Sequence, residues 1–292
     1  MKREQVTEIA PAKVNLTLSV GRKRADGYHD IVTLMETVSL CDKLTVSIGK
    51  ALLPEIKLSI SGKYTVPEDP SNLVVRAAEA YFDAYGERFP ILISLAKNIP
   101  TEAGLGGGSA DAAATLRALN RMVDRPLSAD RLALVAATLG SDVAFCLFGG
   151  TAICSGHGEL IDPVSDPAHR FYTVVMGKDR VSTPAAYRAL DDLREKQNDA
   201  LPERSRAELK ALARGESVAL FNDFESSVFP DHPGIKERKA RLISLGAKDA
   251  LMSGSGAAVF GVFSDLVSAE KAASAFDSDD AFAVSTVARY YL

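Results

Sequence analysis

The sequence predicts an α+β protein built from two units, and three observations carry that expectation. Apolar and polar residues alternate with the period of a strand through roughly the first 65 residues. A glycine-rich stretch, Gly104-Leu105-Gly106-Gly107-Gly108-Ser109, separates a β-like run, Ile91 to Leu95, from a helical run, Ala112 to Met122. From about Phe171 a fresh alternation of strands and helices begins, the pattern of a small α+β sandwich.

Taken in order, Val14, Leu16, Leu18 and Val20 interleave with Asn15, Thr17 and Ser19, which reads as a half-buried strand. Leu44, Val46 and Ile48, then Ile56, Leu58 and Ile60, repeat the pattern, so the opening reads as a β-rich meander. Ser71 or Asn72 offers an N-cap for a helix from Leu73 that stops at Gly86, and Pro90 precedes the next strand. A further helix spans Ser128 to Leu139, ends at Gly140, and is followed by Ser141 and Asp142. Gly, Pro, Asp and Ser cluster between Gly156 and Pro167, which places the boundary there and divides the chain into 1–163 and 164–292. The second unit opens with a strand, Phe171 to Met176, and a charged helix-favouring region, Ala185 to Ala213. Helices over Ile235 to Leu245 and Leu266 to Phe276 then alternate with strands near Ala257 to Phe263 and Phe282 to Ala288.

A chain of 292 residues, 47% hydrophobic and 25% charged, has ample material for a core, which excludes the disordered and fibrous classes. Its net charge of -4 argues against a basic nucleic-acid-binding surface, so no nucleic acid partner is expected. Cys41, Cys146 and Cys154 match no zinc or redox spacing, and the odd count speaks against a disulfide framework. A reducing, cytoplasmic location is expected, since the first 20 residues lack the apolar core of a signal peptide. Leu132 to Phe148 is broken by Thr138, Ser141 and Asp142, and Leu251 to Phe263 is too short to span a bilayer, so no membrane is expected either. Oligomeric state leaves no trace in the sequence.

Four glycines within five positions, Gly104 to Gly108, remove the Cβ atoms that would hold an anion off the backbone and permit turns with positive φ. The helix that follows adds unsatisfied N–H groups and the positive end of its dipole, which makes a nucleotide phosphate the natural occupant. A P-loop is excluded, because Ser109-Ala110 stands where that motif needs lysine and a hydroxyl residue. A dinucleotide fingerprint fits poorly, with Ser109 at its third glycine and the loop far from the start of the chain.

Four segments carry a resemblance to a known family. They are Pro11-Ala12-Lys13-Val14-Asn15-Leu16 with Arg24-Ala25-Asp26-Gly27-Tyr28-His29; Ile99-Pro100 through Gly104 to Ala113; Leu139-Gly140-Ser141-Asp142-Val143; and Met252-Ser253-Gly254-Ser255-Gly256-Ala257. On these the chain resembles the galactokinase, homoserine kinase, mevalonate kinase and phosphomevalonate kinase (GHMP) superfamily. Lys13-x-Asn15 with Asp26-Gly27-Tyr28-His29 narrows the likeness to a branch whose small-molecule substrate carries a cytidine diphosphate group.

The resemblance implies an N-terminal α/β domain with a left-handed βαβ crossover, a C-terminal ferredoxin-like domain, and an active site in the cleft between them. It implies an ATP-dependent kinase acting on an alcohol, with Mg²⁺ accompanying ATP. By resemblance, Pro100, Thr101, Glu102, Ala103, Gly104, Leu105, Gly106, Gly107, Gly108, Ser109 and Ala110 hold the nucleotide. Asp142 is the base and Lys13 the group that polarises the hydroxyl. Asn15, Tyr28, His29, Thr183 and Tyr187 contact the substrate, with the cytosine stacked on an aromatic ring. Magnesium ligands stay unassigned.

Plainer readings stand beside each of these. Tyr28 and His29 also fit a turn after Gly27, Asp142 a helix cap, Lys13 an exposed position on an edge strand, and Asn15 an outward strand position. Asp111 fits a residue that complements the helix dipole, and Ser253 to Gly256 a tight turn. His157, His169 and His232 form no metal-binding spacing and are given no chemistry. Glu102, Ala110 and Ala144 depart from the family's usual residues. Another kinase of the superfamily, of homoserine or mevalonate type, and a nucleotide-binding regulator without transfer are the alternatives.

Overall fold

Strand β1 (Gln5–Lys23) and strand β2 (His29–Ile48) form a long antiparallel hairpin in the computed structural model, which describes residues 3–197 and 205–290. The opening is not a meander. Strand β3 (Ile56–Gly62) does not return against β2; it pairs in parallel with β4 (Ile91–Lys97), which lies between them. Parallel neighbours need a crossover of a dozen residues or more, and α1 (Leu73–Tyr85) supplies it, completing a βαβ unit. Of the two capping candidates Asn72 is the one used, accepting from the Val74 amide, and Gly86 ends the helix at φ 86°.

Helices α2 (Gly107–Met122), α3 (Ala129–Leu139) and α4 (Ser141–Phe148) join α1 in a layer on one face of this sheet. Gly140 does end α3, but it is also the N-cap of α4, so Asp142 stands inside that helix and is not its cap. Arg117 locks this layer to the sheet. Its fully buried guanidinium donates to the Cys146 carbonyl near the end of α4 (2.9 Å) and the Ile9 carbonyl of β1 (2.8 Å), and pairs with Glu8 (3.1 Å). A hairpin of β5 (Thr151–Gly156) and β6 (Leu160–Pro163) completes this side by pairing with β2.

Beyond Pro163 the chain crosses to a second sheet, which β7 (Phe171–Met176) opens. Helices α5 (Thr183–Gln197) and α6 (Arg206–Ala213) follow, and then β8 (Phe221–Asn222), which pairs in parallel with β1 of the first sheet. The expected helix-favouring region thus holds two helices, and its stretch 198–204 lies outside the described residues. After α7 (Phe224–Val228) and α8 (Pro233–Ser244) come β9 (Asp249–Met252), β10 (Val259–Phe263), α9 (Leu266–Ala273) and β11 (Asp280–Ser285). The order β11-β7-β10-β9, antiparallel throughout, is the ferredoxin-like arrangement. Strand β11 begins and ends earlier than Phe282 to Ala288, and α9 stops short of Phe276.

Two apolar cores result, and β1 belongs to both. Val6 and Ala10 pack under the helical layer, whereas Ala12, Val14, Leu16, Leu18 and Val20 pack against the second sheet and its helices. The β1–β2 register is irregular between Pro11 and Lys13, where the side facing the helices changes from even to odd residues. Lys13 and Asn15 are thereby delivered to the side where α2 and α4 begin. They are 4% and 2% exposed, so β1 is covered on both faces here and Lys13 is not an edge-strand lysine.

Candidate active site

The glycine loop builds the floor of a cavity of about 380 Å³, lined by every residue from Pro100 to Ser109. Gly104 and Gly106 take φ of 76° and 67°, and Glu102, with φ 54°, joins them in the left-handed region. A Cβ on Gly104 would lie 2.0 Å from the Ser253 carbonyl oxygen, a contact that only glycine permits. The Ser253 hydroxyl donates to the Gly104 carbonyl (2.9 Å) and the Ala258 amide to the Ala103 carbonyl (3.0 Å). Asn222 in turn holds the Met252 and Gly254 carbonyls. The C-terminal glycine segment is therefore a brace behind the loop as well as a turn.

Helix α2 starts at Gly107 with Gly106 at its N-cap and no side chain capping it, which leaves its first N–H groups to an anion. Ser109 lines the cavity, while Ala110 turns into the helical core and is absent from the lining. Asp111 lies a full turn into α2, too far for a dipole role, and is buried. Its Oδ2 pairs with Lys97 Nζ at 2.9 Å, and the same ammonium pairs with Asp42, whose other oxygen accepts from the Ile99 amide at 2.8 Å. Asp111 Oδ1 has no partner among the described residues. Burial, with Asp42 adding to it against Lys97, pushes the Asp111 carboxyl up to about 8. Lys97, Asp42 and the structural part of Asp111 escaped sequence reading because each lies on a different element.

Lys13 and Asp142 meet. Lys13 Nζ is 3.4 Å from Asp142 Oδ2 and donates to Asn15 Oδ1 at 2.7 Å; Asn15 Nδ2 donates to the Thr33 hydroxyl at 2.8 Å. The Lys13 stem runs against Gly106, where an added Cβ would come within 2.9 Å of Cγ, and its backbone amide donates to the Leu105 carbonyl. Asp142 stands in the first turn of α4 with 35% of its side chain exposed, open to a ligand.

A second cavity, about 510 Å³, begins at Ser141 next to Asp142 and contains Tyr28, His29, Thr183 and Tyr187. Tyr187 stacks on His29, with centroids 4.8 Å apart and planes at 29°, rather than facing Tyr28. Tyr28, 66% exposed, meets the edge of His157, a histidine to which the sequence assigned no role. Burial, and next the Asp142 carboxylate, pushes the Tyr187 hydroxyl above its usual range. His29 Nε2 lies 2.8 Å from Asp191 Oδ1. Asp191 was missed although it follows Tyr187 by four residues on one helix, a spacing that a search for partners along α5 would have found. Thr183 shares a hydrogen bond of 2.8 Å with Ser255. Among the described residues no group of three or more His, Cys, Asp or Glu is arranged to hold a metal ion.

Residues 72–150 match the GHMP kinases N terminal domain and residues 198–280 the GHMP kinases C terminal domain. The 4-diphosphocytidyl-2-C-methyl-D-erythritol kinase of Geobacter metallireducens is 38% identical over 97% of this chain and 98% of its own. That of Bacillus subtilis is 40% identical over 88% of each. The chain belongs to the 4-diphosphocytidyl-2-C-methyl-D-erythritol kinase family. A crystal structure of 4-(cytidine 5'-diphospho)-2C-methyl-D-erythritol kinase superposes with a TM-score of 0.82 at 37% identity, over 96% of this chain and 99% of that one. Homoserine kinase from Cytophaga hutchinsonii, at TM-score 0.70 and 18% identity, covers 99% of this chain and 96% of its own. That likeness extends the fold to the wider superfamily. Within the 4-diphosphocytidyl-2-C-methyl-D-erythritol kinase family the α+β architecture with paired GHMP domains is the one seen here.

Proposed function

We infer that this chain is an ATP-dependent kinase that transfers the γ-phosphate of ATP to the 2-hydroxyl of 4-diphosphocytidyl-2-C-methyl-D-erythritol, in the non-mevalonate route to isoprenoid precursors. The observation that carries the assignment of roles is the Lys13–Asp142 pair. Its lysine abuts Gly106 of one cavity wall and its carboxylate adjoins Ser141 of the other. Phosphoryl transfer needs donor and acceptor in line with a base at the hydroxyl, and a base between two cavities meets that demand.

In this reading ATP lies over Pro100 to Ser109, with its phosphates on the free amides of α2. The cytidine diphosphate group enters the cavity of Tyr28, His29, Thr183 and Tyr187, with the base on the open face of Tyr28. Asp142 accepts the hydroxyl proton while Lys13, steadied by Asn15, offsets negative charge on the oxygen that attacks. Mg²⁺ bound with ATP would neutralise phosphate charge, and the Ser109 hydroxyl on the cavity wall is the side-chain oxygen that suits it. The division at 163/164 belongs to the same proposal: residues 1–163 supply the cradle, Lys13 and Asp142, and 164–292 supply Thr183 and Tyr187. A cytoplasmic site of action goes with it, supported by the need for ATP and by three free cysteines.

The test is ATP-dependent ADP release with Mg²⁺, comparing 4-diphosphocytidyl-2-C-methyl-D-erythritol with methylerythritol 4-phosphate, homoserine and mevalonate. Turnover with the first alone is expected. Turnover with a different acceptor would replace the substrate assignment, and ATP binding without any transfer would leave a regulator.

A further inference from the structure

His29 is held in two directions at once. Its plane lies on Tyr187, which is itself braced edge-on by Phe224 at 4.8 Å and 87°, and its Nε2 edge meets Asp191 Oδ1 at 2.8 Å. Tyr187 and Asp191 are four residues apart on α5, so one helix face supplies both restraints. The residue is 8% exposed, and turning the ring over would keep the stack but put a carbon in place of Nε2 at Asp191.

An ionised carboxylate only accepts hydrogen bonds, so it selects the ring form that carries a proton on Nε2. A neutral imidazole in that form presents a lone pair at Nδ1. Nδ1 takes no hydrogen bond from any of the described residues, and His29 lines the cavity beside Tyr28. An acceptor there matches the 4-amino group of cytosine. In the same pose it opposes the 4-carbonyl oxygen of uracil, lone pair against lone pair.

We propose that Asp191 is a positioning residue that sets the tautomer of His29 and, through it, the preference of this site for cytosine over uracil. The inference rests on the reading that this cavity takes the cytidine diphosphate group. Asp191 touches no reacting atom, so its influence belongs in substrate binding rather than in the transfer step.

The experiment compares kcat and KM of the wild type, Asp191→Asn and Asp191→Glu with the cytidine substrate and with its uridine counterpart. An asparagine amide can turn its NH₂ toward Nε2 and so admit the other tautomer. The Asp191→Asn protein should lose about tenfold or more of the cytidine preference in kcat/KM, the range expected when one buried recognition bond is lost. The loss should fall on KM more than on kcat, and Asp191→Glu should restore part of it. Nitrogen-15 NMR of the wild type, with His29 assigned by difference from His29→Gln, should show the proton on Nε2. A folded, active Asp191→Asn protein with an unchanged preference overturns the proposal, as does a wild-type signal for Nδ1–H. Should the variants fail to fold, the NMR result on the wild type decides. A wild type that turns over neither substrate overturns the functional reading instead, and the NMR result still decides the tautomer.

Discussion

Glu36 and Asp111 are both carboxylates with almost no exposed surface, and the fold treats them in opposite ways. Glu36 of β2 lies where the two sheets join. Its Oε1 accepts from Tyr172 and Thr286, each at 2.6 Å, and its Oε2 from Arg170 at 2.9 Å and Thr151 at 3.2 Å. Donors from β5, β7 and the end of β11 thus converge on one side chain of the first sheet. Asp111, beneath the glycine loop, shares a single ammonium with Asp42 and leaves one oxygen without a partner among the described residues. The joint behind the cleft is saturated and therefore stiff; the cradle keeps hydrogen-bonding capacity unspent. Polar groups that hold domains together gain from full satisfaction, whereas groups around a ligand site must leave donors and acceptors for the ligand.

The comparison can be broken first at the proposed catalytic pair, Lys13 and Asp142. Asp142→Asn removes the proposed base and leaves the cradle intact, so kcat should fall by about 10²- to 10⁴-fold while ATP affinity changes little. Steady-state kinetics beside ATP titration would show this, and an equal loss of both would make Asp142 structural. At the joint, Glu36→Ala strands Arg170 and Tyr172 and should cost about 3–5 kcal/mol of stability in urea denaturation. The KM for ATP of the protein that remains folded should stay put; a raised KM would mean the joint also shapes the cradle.

Gly104→Ala should be milder in stability, about 1–3 kcal/mol for a strained positive φ, but it forces the loop off Ser253 and should raise the KM for ATP. A difference in pH dependence sharpens the contrast between the two carboxylates. Asp111, with its folded pKa raised to about 8, keeps its proton in the folded protein while the unfolded chain releases it above about pH 4. Its contribution is intact below the unfolded value and is lost as pH rises toward 8. Asp111→Asn does not ionise, so its melting temperature should gain on the wild type between pH 5 and 8 and then level off. A gap that shrinks over that range would mean that Lys97 keeps Asp111 ionised.

Much of the site was legible because its chemistry is local. A run of glycines before a helix announces an anion site whatever surrounds it, and Pro100 to Ser109 do line one cavity. Asp142 was legible as a residue, and as the cap of a helix instead of a member of its first turn, since the cap of α4 is Gly140, already read as the end of α3. The parallel pairing of β3 and β4 was illegible because alternation reports that a strand has two faces and says nothing of its neighbour. Asp191 was overlooked, and His157 was given no chemistry, for a related reason: a lone polar residue acquires its surroundings only from what folding sets beside it.

By itself the sequence determined many of the periodic elements, the glycine loop before α2 and the family, because these rest on spacing along one chain. The tertiary structure alone decided that Lys13 and Asn15 face the helix N-termini. Their strand alternates regularly in sequence, yet the register breaks between Pro11 and Lys13 and changes which side chains reach α2 and α4. It alone decided, too, that the Ser253 segment braces Gly104 across 149 residues of chain. Such contacts depend on how two sheets pack, a balance over hundreds of apolar atoms that no local pattern encodes.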